Sequence, residues 1–255
     1  LPPEYQGDDS GGPLDSFILS DVQSRFDTLS QEAQATLGPF LIPPAYKGSW
    51  ASPQSLQSSA RVQADEPQPV CNELDPNWKW QDAATAKVRV GWQPRYPDDE
   101  GKATQLAAAM DNTIWPKLTG LMGEPLSDAA ESCNGGNGRL DMYLALEGDS
   151  PLLTYGYGCD KTPGYIELNR SAGDLLDLSH EFMHAIQLGY DVQDGCVFDL
   201  PPSGYRWLGE ATATWAADYV YPDTNAEQRF AGSFLSQPGK PLETYGGDHE
   251  YGAYL

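Results

Sequence analysis

Basic residues are scarce in this chain of 255 residues: 15 Lys and Arg stand against 37 Asp and Glu, a formal net charge of −22. A surface of that sign repels phosphate backbones, which argues against nucleic acid as a partner and favours solubility and cationic partners. Long apolar runs are missing as well. No stretch approaches the roughly 18–20 apolar residues that a membrane helix requires, so no membrane span is expected. Cysteine is limited to Cys71, Cys133, Cys159 and Cys196, widely spaced and without a CxxC pair. That spacing excludes a clustered thiolate metal site and points to two disulfides formed in an oxidising compartment. Of the three possible pairings, Cys133–Cys159 with Cys71–Cys196 is the one expected here. The chain opens Leu1-Pro2-Pro3 without an initiating Met, as a processed product would. Few lysines, many Trp and Tyr and this use of cysteine together predict a secreted, extracellular protein.

What is present divides the chain in two. Residues 1–75 are rich in Pro, Ser, Gln and Asp, and Pro39, Pro43, Pro44, Pro53, Pro67 and Pro69 interrupt any long element. Within them Ile18, Val22, Phe26, Leu29, Ala33 and Leu37 recur at steps of three and four, predicting one amphipathic helix that ends before Pro39. This region reads as an N-terminal arm packed on the rest, or alternatively as a remnant pro-segment. No internal repeat or long low-complexity tract is present.

Residues 76–255 have the texture of a compact α+β domain. The alternation in Lys87–Trp92 predicts a strand, and strands are also expected over 139–146, after the turn cluster Asn134–Gly138, and over 164–170. A helix is predicted for 101–122, kinked at Pro116, another for 174–189 with Asp174 as N-cap, and a last one for 208–220. Asn169-Arg170-Ser171 matches a glycosylation sequon, but its place at a strand-to-helix junction argues against use. The run Asp98-Asp99-Glu100 reads as a solvated loop, with calcium binding as the sharper alternative.

The helix after Asp174 contains His180-Glu181-Phe182-Met183-His184, an HExxH motif in a chain with only 3 histidines. Four residues is just over one helical turn, so both imidazoles project from one face and can share a metal ion. Leu175, Leu178, Phe182 and Ile186 gather on the opposite side, where a core would take them. Glu181 falls beside the pair, within reach of metal-bound water without being a ligand. The plainer alternative is two surface histidines with an intervening glutamate. A catalytic zinc keeps three protein ligands and one open position, so a third ligand is required. The extension HExxHxxGxxH fails at Gln187 and Tyr190. Downstream, Trp207–Trp215 supplies Glu210, with the small residues Ala213, Thr214 and Ala217 on its own face. These would let the two helices approach closely. Leu208, Trp215 and Tyr219 are expected to pack on the other side.

At these residues the chain resembles the gluzincins, zinc metallopeptidases in which HExxH is completed by a glutamate on a following helix. The nearer likeness is to secreted bacterial metallopeptidases with HEFxHAxQ and WxxEAxAxW segments, matched here by His180–Gln187 and Trp207–Trp215. The likeness covers about residues 85–255 and implies a zincin-like fold. In that fold a mixed sheet is followed by the active-site helix and a helical C-terminal part, with a sheet edge lining the cleft. It implies zinc on His180, His184 and Glu210, Glu181 as general base, and hydrolysis of protein or peptide substrates. It also implies a downstream His or Tyr that stabilises the oxyanion, for which His249 is the first candidate and Tyr251 the second. Some gluzincins carry an Asp four residues after the glutamate ligand; Thr214 stands there, so Thr214 or Asp218 is the candidate for orienting a metal-bound imidazole. The apolar end Tyr254-Leu255 suggests a helix continuing in a longer parent chain. Two other functions fit the same residues: a zinc hydrolase of a non-peptide substrate, and a non-catalytic zinc-containing binding or adhesion module.

Overall fold

The computed structural model describes residues 22–52, 71, 73–148, 152–158, 161–171, 175–190, 205–225 and 228–255. Five strands form one mixed sheet: β1 (Lys79–Asp82), β2 (Val88–Trp92), β3 (Leu140–Leu146), β4 (Leu153–Gly156) and β5 (Gly164–Asn169), in the order β1-β2-β3-β5-β4. The central strands β2, β3 and β5 run parallel, and β1 and β4 close the two edges antiparallel. Parallel strands need covering on both faces, and β3 and β5 are buried along their whole length. The architecture is therefore mixed α and β, as expected from the alternation of strand and helix patterns.

One face carries Val88, Val90, Leu140, Met142, Leu144, Ile166 and Leu168, packed against Leu106, Met110, Ile114, Leu118, Phe182 and Ile186 from the helices. The predicted helix over 101–122 is realised as Asp99–Ala109, here α1, a π-helical turn Met110–Ile114, and α2, Trp115–Met122. Pro116 lacks an N–H and falls in the first turn of α2, where none is needed, and the wide turn lies just before it. The acidic run at 98–100 opens α1. Asp99 and Glu100 lie in its first turn, where negative charge suits the helix dipole, and buried Asp99 faces Arg170 at 3.4 Å.

The other face is aromatic. Trp78, Tyr143 and Tyr165 are buried there with Ala45 and Ala51 of the N-terminal segment, and Trp80, Tyr155 and Tyr157 flank them. Arg89 and Asp141 form a buried ion pair on this face, 2.5 Å from Nε to Oδ1, with the guanidinium over the Trp80 ring. Gly135 brings its carbonyl to the same guanidinium, and its N–H donates to Tyr46 Oη at 2.8 Å. Its φ of 59° and the 1.8 Å that a Cβ would leave to an Arg89 nitrogen both require glycine.

Two expectations about residues 1–75 are corrected. The single helix over Ile18–Leu37 is broken: a helical turn at 22–25 tightens over Phe26–Thr28, and a new helix, Gln31–Leu37, starts after Ser30. Ser30 accepts a hydrogen bond from the Ala33 N–H, so its capping strength outweighs the continuity of the apolar stripe. Ile18 lies outside the described residues. The disulfide is Cys71–Cys133, so neither Cys133–Cys159 nor Cys71–Cys196 can form. Spacing alone could not reveal that the turn at 133–136 lies under the returning N-terminal segment. Cys159, Cys196 and Asp174 are outside the described residues.

Asn169 of the sequon is buried, and its amide nitrogen donates to the Gly148 carbonyl at 2.9 Å, which leaves it no room for a glycan.

Candidate metal centre

Two helices carry the site. The first, α3 here, spans Leu175–Gln187, and the second, α4, spans Arg206–Val220. On α3, Leu178, Phe182, Met183 and Ile186 are buried in the core beneath β4 and β5, with Phe182 against Trp115 at 4.9 Å between rings. That anchoring turns His180 and His184 to the opposite side, toward α4. On α4, Ala213, Thr214 and Ala217 are buried, and their small side chains bring the two helices close enough for Glu210 to reach across. The outer side of α4 differs in part from expectation. Leu208 and Tyr219 are exposed, while Trp215 packs against the core as expected and stacks on Tyr219.

Three ligand atoms converge. Glu210 Oε2 lies 3.0 Å from His180 Nε2 and 3.5 Å from His184 Nε2, and the two imidazole nitrogens are 3.0 Å apart. A tetrahedral ion with bonds of about 2.0–2.1 Å separates its ligands by roughly 3.3 Å, so these spacings suit one ion held by all three. Among the described residues this is the group of His, Cys, Asp and Glu side chains that could hold a metal ion; none is found at Asp98-Asp99-Glu100.

The hydrogen bonds around the trio sharpen this. His184 Nδ1 is 2.7 Å from Gln187 Oε1, while Gln187 Nε2 donates to the Gly209 carbonyl at 3.0 Å and to Thr212 Oγ1 at 2.7 Å. A neutral His184 with its proton on Nδ1 points an Nε2 lone pair at another nitrogen and a carboxylate oxygen. Only a proton or a cation relieves that arrangement. As side chains alone, the group settles on protons. Burial opposes charge on His184, but Glu210 raises its pKa to about 9. Burial likewise opposes charge on Glu210, yet His184 and His180 hold its carboxyl well below the usual range.

No family model, curated protein or solved structure matches the chain. The site therefore stands on its own geometry.

Glu181 is not one of the converging ligands. It is buried beside them, and Thr154 Oγ1 on the edge strand β4 lies 2.7 Å from its Oε2. Burial raises its pKa, against the opposing pull of His184 and His180. The two downstream candidates separate. Tyr251 lies with its ring 6.0 Å from that of His180 and stacks on Phe230. His249 is buried, its ring 4.9 Å from that of Phe234 and its Nε2 facing the Pro241 carbonyl at 3.2 Å. Thr214 donates its hydroxyl to the Glu210 backbone carbonyl within its own helix, at 2.9 Å, and so is not directed at an imidazole. Asp218 stands two turns beyond Glu210 on α4.

Thr154 and Gln187 were the residues that sequence reasoning missed. Thr154 sits in a four-residue strand too short for a periodic signal. Gln187 enters the sequence reading as the residue that breaks a longer histidine motif and as the end of the HEFxHAxQ likeness, with no role of its own. Its place three residues after His184, hence on the same helix face, was the available signal.

Proposed function

We propose that this protein is a secreted zinc metallopeptidase of gluzincin type, with zinc held by His180, His184 and Glu210. The observation that carries the reading is the convergence of two imidazole Nε2 atoms and one carboxylate oxygen, none more than 4.8 Å from another, beside the buried Glu181. Two nitrogens and one oxygen from three residues is the donor set of an open catalytic zinc site, whereas a structural zinc is closed by four protein ligands. When bound, zinc polarises a carbonyl and lowers the pKa of a water ligand from about 15.7 to about 7.

The chain's own residues supply the remaining chemistry. Glu181 takes a proton from the attacking water on a carboxylate oxygen and later delivers it to the leaving amine. The Thr154 hydroxyl holds that carboxylate in place during both transfers. Tyr251 is the proposed donor to the carbonyl oxygen as charge develops on it, a contribution typically worth about 10²–10³ in rate. His249, engaged by Phe234 and the Pro241 carbonyl, is left in a structural role. The net charge of −22 suits cationic or neutral polypeptides as substrates and disfavours nucleic acid.

The test is metal analysis of the purified protein, followed by incubation with casein and a mixed peptide library, with and without chelator. The expected result is one zinc per chain and cleavage that chelator abolishes. Glu181→Gln should keep the zinc and lose the cleavage. Zinc uptake without cleavage of any peptide would point instead to a binding module or to a hydrolase of another substrate class.

A further inference from the structure

We infer that Gln187 is a positioning residue of the metal centre, fixing His184 as its Nδ1–H tautomer and locking the helix of the two histidines to that of Glu210. This rests on the metal reading above and extends it to a residue that touches no metal.

The assignment follows from counting donors. The Thr212 hydroxyl has one proton, and it points to the Leu208 carbonyl at 2.6 Å. Thr212 Oγ1 therefore accepts from Gln187 Nε2, as the Gly209 carbonyl must. Both amide protons of Gln187 are thus spent on α4, and the amide cannot be flipped without setting its oxygen against the Gly209 carbonyl. Its Oε1 is left facing His184 Nδ1 at 2.7 Å and can only accept. His184 consequently carries its proton on Nδ1 and presents the lone pair of Nε2 to His180 and Glu210. The anchor points on α4, Gly209 and Thr212, bracket Glu210. One side chain therefore sets the ring orientation of one ligand and the distance of the helix that bears another. Ligand-orienting partners of this kind are commonly worth ten- to hundredfold in metal affinity.

A simple helix-to-helix strut would also use Gln187, so the variants must separate the two ends of the amide. Gln187→Met removes both. Gln187→Glu keeps an acceptor for His184 Nδ1–H but gives up both donations to α4. With zinc alone as the probe, affinity is measured by competition against a chromophoric chelator. Zinc-free melting and the His184 Nδ1–H proton signal of the zinc-loaded protein are recorded alongside. Gln187→Met is expected to lose roughly ten- to hundredfold in affinity and the downfield proton signal. Gln187→Glu should keep the proton signal and lose clearly less affinity than Gln187→Met, while melting as low as Gln187→Met or lower. Should Gln187→Met not fold, Gln187→Asn takes its place. It is a methylene too short to span ring and Gly209 carbonyl together, and the same loss is expected.

Affinity that falls in both Gln187→Met and Gln187→Glu in step with melting would reduce Gln187 to a strut and overturn the inference. So would wild-type affinity in Gln187→Met. A wild-type protein that takes up no zinc sinks the metal reading itself, and this inference with it.

Discussion

Thr154 Oγ1 stands 2.7 Å from Glu181 Oε2 and 2.8 Å from the Glu181 carbonyl oxygen, so an edge strand grips both the backbone and the carboxylate of the proposed base. One hydroxyl proton serves one acceptor at a time, and the shared position restricts the carboxylate whichever it serves. A hydrogen bond to a charged group is worth about 1.5–3 kcal/mol. Thr154→Val should therefore lower kcat by at least about tenfold with zinc content and KM unchanged, and Thr154→Ser should restore it. Steady-state kinetics of the three proteins checks this; equal kcat in all of them would remove Thr154 from the mechanism.

Zinc should stabilise the fold through His180, His184 and Glu210. A ligand that binds only the native state adds about 4 kcal/mol when present at a thousand times its Kd. Melting of the chelator-stripped protein is expected to shift upward on adding zinc. In Glu210→Ala and His180→Ala that shift should shrink sharply, because two ligands hold the ion far less tightly than three.

A second carboxylate sets a pH dependence away from the proposed metal centre. Burial on the aromatic face of the sheet pushes Glu167 up to about 8 from an ordinary 4.5, with only the Trp50 indole, 3.4 Å away, opposing the shift. The folded state therefore holds a proton that the unfolded chain releases above 4.5. Stability is greatest below that pH, falls as pH rises toward 8, and levels beyond it. The slope is at most about 1.4 kcal/mol per pH unit for one such group. Glu167→Gln should flatten the decline in melting temperature across this window. Asp128, also raised to about 8 by burial and then by Asp141, should contribute in the same direction, and Asp128→Asn should flatten it further.

Breaking the disulfide should cost stability without touching the chemistry. Cys71 and Cys133 close a loop of 62 positions, for which a loss of about 2–5 kcal/mol is typical. The double variant Cys71→Ser/Cys133→Ser is expected to melt earlier and to retain the zinc affinity of the parent. Denaturant titration and chelator competition on the same samples measure both.

Where the sequence carried a repeating physical pattern, it could be read. The alternation in Val88–Trp92 and Leu140–Leu146 marked two of the parallel strands, and the four-residue step between His180 and His184 placed them on one face of α3. The small residues around Glu210 marked the face of α4 that meets α3. What could not be read depends on contacts between distant segments. β1 and β4 have four residues each, and their place at the sheet edges comes from pairing with β2 and β5. The Cys71–Cys133 bond depends on where residue 71 returns to the sheet. His249 and Tyr251 are two positions apart on one short helix, and only the packing of Phe230 and Phe234 decides which ring approaches His180.

The segment around Ala45 and Ala51 roofs Trp78, Tyr143 and Tyr165, three rings on the aromatic face of the sheet. Shortening the chain to begin at residue 76 would strip that roof while leaving every proposed zinc ligand in place. The shortened protein would present a greasy aromatic wall to water and should self-associate. The smallest unit able to stay monomeric is therefore larger than the smallest stretch that contains the chemistry.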